Sequence, residues 1–170
     1  MKYILVVFFL LSVEIIRANE PVLADIRLAF EFACYNETKA SELLSLLEKN
    51  VSTDAILLGY KGAAQSLIAK HSGNPFTKLK YTKLAMNTLQ QAVRVSPVNV
   101  EIRYLRFVIQ SQLPAFLRMS GNIEEDKRII LENIDSIKDN AVMKKKIAGF
   151  MINSQKCSAQ EVVLLNKKFS

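Results

Sequence analysis

The chain contains few of the residues that tight turns, disulfide scaffolds and metal sites require. Its 170 residues include 5 Gly, 4 Pro, 2 Cys, 1 His and no Trp. So little glycine and proline argues against a turn-rich sandwich or barrel and favours long helices. Two cysteines exclude a disulfide-rich scaffold, and together with the single histidine they cannot complete a structural zinc site without added carboxylates. We therefore predict an all-α protein with no metal and no cofactor.

The composition is that of one folded domain. Half of the residues are hydrophobic and 23% are charged, which is too apolar for a disordered chain. A length of 170 residues fits a single ordinary domain. The 23 Lys and Arg residues exceed the 16 Asp and Glu residues and give a formal net charge of +7.

The N-terminus has the pattern of a secretory signal peptide. Met1 and Lys2 precede an apolar run of eleven residues, 3–13, whereas a membrane-spanning helix needs about 20. A short basic start, an apolar core of this length and a small residue soon after it are typical of an export signal. Ala18 is the best residue to precede the cleavage site. We predict a signal peptide over 1–18, a single helical domain over 19–170, and a periplasmic or secreted protein; the alternative is a retained membrane-associating or buried first helix.

Hydrophobic spacing and explicit stop signals predict about eight helices after residue 20 and no strands. The predicted ranges are 21–35, 39–48, 55–71, 75–95, 98–112, 123–137, 141–152 and 162–168, with a short turn over 114–119. Loops of a few residues make consecutive helices pack as antiparallel pairs. The expected architecture is therefore a stack of antiparallel helical hairpins.

Several residues predict how these helices begin, end and pack. Gly59 and Gly62 lie inside the third helix, where glycine costs about 1 kcal/mol relative to alanine, and indicate the close approach of a neighbouring helix. Gly73 suits a left-handed helix end. The candidate N-caps are Asp54, Asn74, the pair Asn122 and Glu125, and the pair Ser158 and Glu161. The expected buried stripe of the fourth helix is Phe76, Leu79, Leu84, Ala85, Leu89, Ala92 and Val93.

The fourth helix and its exit resemble one unit of a known repeat family. Ala85, Leu89, Ala92 and Pro97 have the spacing of the second helix of a tetratricopeptide repeat, and residues 97–101 resemble a boundary between two repeats. No second copy follows at the period of about 34 residues, so the chain is tetratricopeptide-like. This resemblance implies stacked hairpins with a concave face that suits an extended peptide.

A second resemblance covers about residues 55–135. The segments 58–64, 74–76, 101–106 and 122–127 are similar to those of a group of small exported bacterial helical proteins with no assigned activity. The resemblance implies a helical fold and export, and it supplies no mechanism.

Two arginines are the sharpest candidates for a binding site. Arg106 lies between apolar neighbours near the buried edge of the fifth helix, and Arg103 lies one turn before it. Together with Lys61 and the amide of Asn74 they would line an anion-binding groove. The alternative is structural ion pairing, for which the candidate carboxylates are Glu101, Glu124 and Asp126.

The remaining reactive or charged residues have ordinary structural explanations. His71 ends the third helix, where an imidazole caps or is solvated. Cys34 and Cys157 either pair or remain buried thiols. The lysines of 144–146 and 167–168 form a basic region that we expect to be solvated, with weak attraction to an anionic membrane surface. Nucleic acid is not an expected partner because stacking aromatics are not interleaved with these lysines.

The sequence contains no catalytic motif, so we predict a non-catalytic scaffold or protein-interaction module whose partner is a protein or peptide. The alternative is a periplasmic carrier of a small ligand, with an apolar cavity between helices. Tyr60, Tyr104 and Arg106 would line that cavity. The sequence leaves the oligomeric state open.

Overall fold

A computed structural model describes residues 23–50, 53–137 and 140–169, and all regular structure in these ranges is helical. The all-α prediction is confirmed for this part of the chain. The predicted signal peptide and its cleavage site lie outside the described residues. The α-helices are α1 Leu23–Ala33, α2 Glu37–Lys49, α3 Ala55–His71, α4 Pro75–Val95, α5 Val100–Gln112, α6 Ile123–Asn133, α7 Ala141–Asn153 and α8 Ala159–Phe169. Short 3-10 turns occupy Ala115–Leu117 and Ile134–Ser136.

Local capping chemistry sets most of the helix starts. The Asp54 carboxylate accepts a hydrogen bond from the Ile56 amide at 2.9 Å, and Asn74 accepts one from the Phe76 amide at 2.8 Å. A reciprocal capping box starts α8: the Ser158 amide donates to Glu161 and the Glu161 amide donates to Ser158. These N-cap predictions are confirmed. They could be made from the sequence because the capping side chain and the backbone amide that donates to it are only two or three residues apart.

Two of the capping predictions are wrong. Asn122 has a ψ of 2°, outside the extended conformation of a typical N-cap, and its side-chain oxygen accepts a hydrogen bond from Gln110 of α5. Gly73 has no left-handed backbone: α3 ends at His71, and its C-cap residue Ser72 is extended. At Asn122 a hydrogen bond from α5 takes the place of the helix cap, and at the end of α3 the chain continues in an extended conformation.

The small residues of α3 bring two other helices close, as predicted. A methyl group added at Gly62 would lie 2.8 Å from Leu89 Cγ and 3.1 Å from the Ala85 carbonyl oxygen of α4. One added at Gly59 would lie 3.3 Å from Ile102 Cγ1 of α5. The absence of side chains at these positions therefore allows α4 and α5 to pack against α3.

Helix α5 is the central element, because both hydrophobic cores use it. Ile102 and Leu105 belong to the core built with α1, α2, α3 and α4. Tyr104 and Phe107 belong to the core built with α6, α7 and α8. Residues 100–107 are all buried as a result. The charged residues of this helix are therefore buried as well and need partners within the protein.

The buried stripe predicted for α4 is only partly correct. Its buried hydrophobic residues are Ala85, Leu89, Ala92 and Val93. The side chains of Phe76, Leu79 and Leu84 are instead 83%, 39% and 38% exposed. On a period of 3.6 residues, Phe76 and Leu84 lie away from the face that contains Ala85 and Leu89.

Consecutive helices from α1 to α6 pack against one another, and α3 also contacts α1 and α5. An ion pair of 2.5 Å between Lys146 and Glu31 joins α7 to α1. These contacts do not by themselves establish a stack of hairpins, so that arrangement stays a prediction.

Candidate functional site

Arg103 and Arg106 bind a shared carboxylate, that of Asp126 at the start of α6. Arg106 Nε and Nη2 donate to the two oxygens of Asp126 at 2.7 and 2.6 Å, and Arg103 Nη1 donates to Oδ1 at 2.9 Å. Arg103 also forms an ion pair with Glu125 at 3.0 Å. The hydrogen bond from Arg103 lowers the pKa of the Glu125 carboxyl group. Arg106 Nη1 also donates to Gln90 of α4 at 2.6 Å.

This geometry is that of the ion-pair alternative, with Asp126 as the correct partner. The side chains of Arg106 and Asp126 are both 0% exposed. Their donors and acceptors are directed at one another, so the pair ties α5 to the N-terminal end of α6. Of the other candidate carboxylates, Glu101 pairs with Arg27 and Glu124 pairs with Lys127.

A second buried polar group joins α1, α3 and α5. The hydroxyl of Tyr60 donates to Glu101 Oε1 at 2.6 Å, and Arg27 donates to both oxygens of Glu101 at 2.7 and 2.5 Å. Burial, followed by the Glu101 charge, raises the pKa of Tyr60 well above its usual range. The tyrosine therefore stays neutral and acts as a hydrogen-bond donor within the core.

The other predicted binding residues lie in separate contacts. Asn74 caps α4, and Lys61 is half-buried on α3. The Tyr104 ring meets the Phe150 ring edge to face, with centroids 5.8 Å apart, and burial raises its pKa to about 12. The structure thus brings Arg103 and Arg106 together, and it places Tyr60, Asn74 and Tyr104 in three other local environments.

Helices α1 and α2 form an open groove that the sequence analysis did not identify. Its volume is about 520 Å³. Its lining is Asp25, Leu28, Ala29 and Phe32 of α1 and Lys39, Glu42, Leu43 and Leu46 of α2. Each helix contributes residues i, i+3, i+4 and i+7, the spacing of one helix face. Leu28 and Phe32 are 55% and 60% exposed, so much of the apolar lining faces solvent.

A weak sequence signal for this groove was present. In the first helix the apolar residues spaced by three and four are Val22, Ile26, Ala29, Phe30 and Ala33. Leu28 and Phe32 are large apolar residues outside that stripe. Two large apolar residues one turn apart on the solvent side of a helix indicate a surface available for contact. Only the tertiary structure shows that α2 supplies the opposite wall.

The cysteines and the histidine have structural environments. Cys34 and Cys157 are free, half-buried thiols, and burial raises the pKa of both. The imidazole Nε2 of His71 lies 2.9 Å from the Ala33 carbonyl oxygen, and Lys70 donates to the Cys34 carbonyl oxygen at 2.8 Å. The end of α3 thus satisfies carbonyl groups at the C-terminus of α1.

The lysines of the predicted basic C-terminal region are partly paired. Lys146 binds Glu31, Lys168 binds Asp135, and Lys144 donates to the Asp135 carbonyl oxygen at 3.4 Å. The part of the chain that the structure describes contains no group of three or more His, Cys, Asp or Glu side chains that could hold a metal ion.

No known protein family, no curated protein and no solved structure shows a significant match to the chain. The two resemblances noted from the sequence therefore stay predictions. Over the described ranges, no helix is both long enough and apolar enough to cross a membrane.

Proposed function

We propose that the protein is an exported, non-catalytic helical module that binds a partner protein through the groove between α1 and α2. The observation that carries the proposal is the partly exposed apolar lining of this groove. Leu28, Phe32 and Leu46 are each at least 40% exposed and lie along facing helices. Charged residues, namely Asp25, Lys39 and Glu42, border them. An apolar strip with a polar rim is typical of a surface that another protein covers.

The size of the groove favours a single helix as its occupant. The exposed apolar surface of these residues is on the order of a few hundred Å², whereas a stable dimer buries about 800 Å² on each partner. A helix lying between α1 and α2 would place apolar residues at i, i+3 or i+4, and i+7 into the groove. The occupant that fits is therefore one amphipathic helix of a partner protein.

The rim indicates the charge of that helix. Asp25 and Glu42 carry two negative charges and Lys39 carries one positive charge, so the groove border is net acidic on a chain with a formal charge of +7. Lys39 already binds Glu42 at 2.7 Å, and both side chains are 55% exposed. A partner helix with Lys or Arg beside its apolar stripe would complement Asp25 and compete for Glu42.

The test compares a groove variant with a matched control in the chain as it is recovered from the expressing cell. Phe32→Ser and Leu46→Ser together remove apolar surface from the groove. Val98→Ser and Val163→Ser remove exposed apolar surface elsewhere, at side chains that are 60% and 67% exposed. A photo-crosslinker at Leu28 then identifies the segment in contact.

The three chains are used for affinity capture from an extract of the expressing cell. We expect the parent chain and the control to capture the same partner protein, and the groove variant not to capture it. The crosslinked segment should be an amphipathic helix with basic flanks, and a synthetic peptide of that segment should bind the parent chain. Equal capture by all three chains, or a crosslink to an extended or acidic segment, contradicts the proposed site.

Export has its own test. The mass of the chain recovered from the cell envelope or medium should correspond to a start at Asn19. An intact N-terminus on a chain retained in the cytosol contradicts export and leaves the groove proposal to its own experiment.

A further inference from the structure

The positive charge of the chain is concentrated in one segment. Residues 55–100 contain six of the 23 basic residues and none of the 16 acidic residues. Their +6 accounts for nearly all of the formal net charge of +7. This segment is α3, α4 and the loops that flank α4, so the charge lies on one pair of packed helices.

The six cations of this segment lack acidic partners within the described residues. They are Lys61, Lys70, Lys78, Lys80, Lys83 and Arg94, and all except Lys61 are exposed. By contrast, Arg27, Arg103, Arg106 and Lys127 each bind a carboxylate. The exposed cations of α4 are therefore available to an anionic partner, whereas Lys70 already donates to the Cys34 carbonyl oxygen.

Exposed apolar side chains lie among these cations on α4. Phe76, Lys80, Lys83, Leu84 and Arg94 fall within an arc of roughly 100° on a helix of 3.6 residues per turn, and we call these five residues the basic face of α4. Phe76 is 83% exposed and Leu84 is 38% exposed. Apolar groups beside lysines on one solvent-facing side of a helix are typical of helices that lie in a membrane interface.

An exposed aromatic ring of the link between α1 and α2 lies beside a lysine in the last turn of α3. Lys70 at the end of α3 lies 5.8 Å from the centre of the Tyr35 ring, and Tyr35 is 90% exposed. Phe76 lies in the first turn of α4, directly after the short loop that follows α3. Phe76 shares its helix face with Lys80 one turn further along, and an exposed phenylalanine beside a lysine suits the headgroup region, where rings enter the apolar boundary and ammonium groups bind phosphates.

We propose that the basic face of α4 binds the surface of an anionic lipid membrane peripherally. The cations would bind lipid phosphate groups, and Phe76 and Leu84 would enter the acyl boundary. A nucleic acid would use the same cations, but it provides no apolar phase for Phe76 and Leu84. The apolar residues therefore favour lipid over nucleic acid. This inference uses a surface separate from the groove between α1 and α2.

The experiment measures the partition of the chain, in the form recovered from the expressing cell, onto phosphatidylcholine vesicles with and without 30% phosphatidylglycerol. The test variant is Lys80→Gln, Lys83→Gln and Arg94→Gln together. The control is Lys49→Gln, Lys145→Gln and Lys167→Gln, three exposed lysines of α2, α7 and α8. Both variants lose three positive charges, so a difference between them reports position and not net charge. An N-terminal apolar segment, where retained, contributes equally to every chain.

We expect the parent chain to prefer the anionic vesicles and to lose that preference as salt rises. Each cation close to an anionic surface changes the partition by about fivefold, so the test variant should bind on the order of a hundredfold more weakly and the control much less so. Phe76→Ser should weaken vesicle binding by about tenfold without changing binding to a polyphosphate. Because all of these side chains are exposed, circular dichroism should report unchanged helix content.

Three results overturn the proposal. Equal loss in the test variant and the control shows a general effect of net charge. Equal partition onto neutral and anionic vesicles shows that the cations are not used. Tighter binding to a single-stranded oligonucleotide than to anionic vesicles, with no effect of Phe76→Ser on either, assigns the surface to nucleic acid.

Discussion

Arg106 and Asp126 form a buried ion pair with two parallel hydrogen bonds, Nε to Oδ2 at 2.7 Å and Nη2 to Oδ1 at 2.6 Å. Neither side chain has exposed surface. The pair joins the central helix α5 to the first turn of α6, where the helix dipole also stabilises the carboxylate. Asp126 also binds Arg103, and Arg106 has a longer contact of 3.4 Å with Glu125, so the loss of either member leaves the other only partly compensated in a buried site.

We expect Asp126→Asn to lower the free energy of unfolding by about 3–5 kcal/mol. The substitution removes the buried charge that Arg106 and Arg103 share and leaves Arg106 only the longer contact with Glu125, at 3.4 Å. Urea denaturation followed by circular dichroism measures the change. The matched control is Glu132→Gln, which breaks an exposed pair with Arg128 and should cost less than about 1 kcal/mol. A loss at Asp126 no larger than that of the control would show that the pair does not stabilise the fold.

Glu101→Gln should lower the free energy of unfolding by about 2 kcal/mol, which is less than Asp126→Asn. The glutamine oxygen can still accept the hydrogen bond of Tyr60, and Arg27, whose side chain is 30% exposed, can be hydrated after losing its partner. The same urea measurement applies. A loss as large as that of Asp126→Asn would mean that Arg27 cannot reach solvent and would contradict this ordering.

Gly62→Ala and Gly149→Ala should have opposite effects. The new methyl group at Gly62 would lie 2.8 Å from Leu89 Cγ and 3.1 Å from backbone atoms of α4. We expect it to lower the free energy of unfolding by about 1–3 kcal/mol. At Gly149, inside α7, the methyl group meets no atom within 4 Å. That substitution should stabilise the protein by up to about 1 kcal/mol through helix propensity. Thermal unfolding of the two variants decides the matter, and destabilisation of equal size at both positions would contradict the close contact at Gly62.

Tyr104 should titrate late on the alkaline side. Burial raises its pKa from 10.0 to about 12 in the folded protein. Its contribution to stability is therefore fully present below pH 10 and is lost as the pH rises from 10 through 12. Absorbance at 295 nm should show one tyrosine ionising near pH 12 in the folded chain, and Tyr104→Phe should remove that step. A step near pH 10 that Tyr104→Phe removes would show that the ring is accessible to water.

Local features of the sequence are sufficient to predict the helices and some of the contacts between them. The pair Asn74 and Pro75 marks the start of α4, because a capping side chain and a fixed φ act within one turn. Gly62 indicates close helix packing because only a missing side chain permits it. Such signals are local, so they do not depend on where the rest of the chain lies.

The exposed residues show where local reasoning fails. The sequence predicts Phe76 and Leu84 in the buried stripe of α4 and predicts no role for Phe32, and all three side chains are exposed. For Phe76 and Leu84 the helical period itself points away from the face of Ala85 and Leu89, so the prediction followed apolar character and not position on the helix. For Phe32, periodicity identifies the face of α1 on which the ring lies, and it does not tell whether another element covers that face. Whether a helix face is covered depends on where the other helices pack, which is decided by the tertiary structure.

The sequence by itself determined the all-helical class, the main helix boundaries and the presence of an arginine that needs a carboxylate. Only the tertiary structure decided that Asp126 is the partner of Arg106, that Glu101 binds Arg27 from 74 residues away, and that α1 and α2 leave an open groove. The physical reason is the range of the interactions. Capping and helix propensity act within a few residues, whereas ion pairing and the burial of α5 require elements distant in sequence to come together.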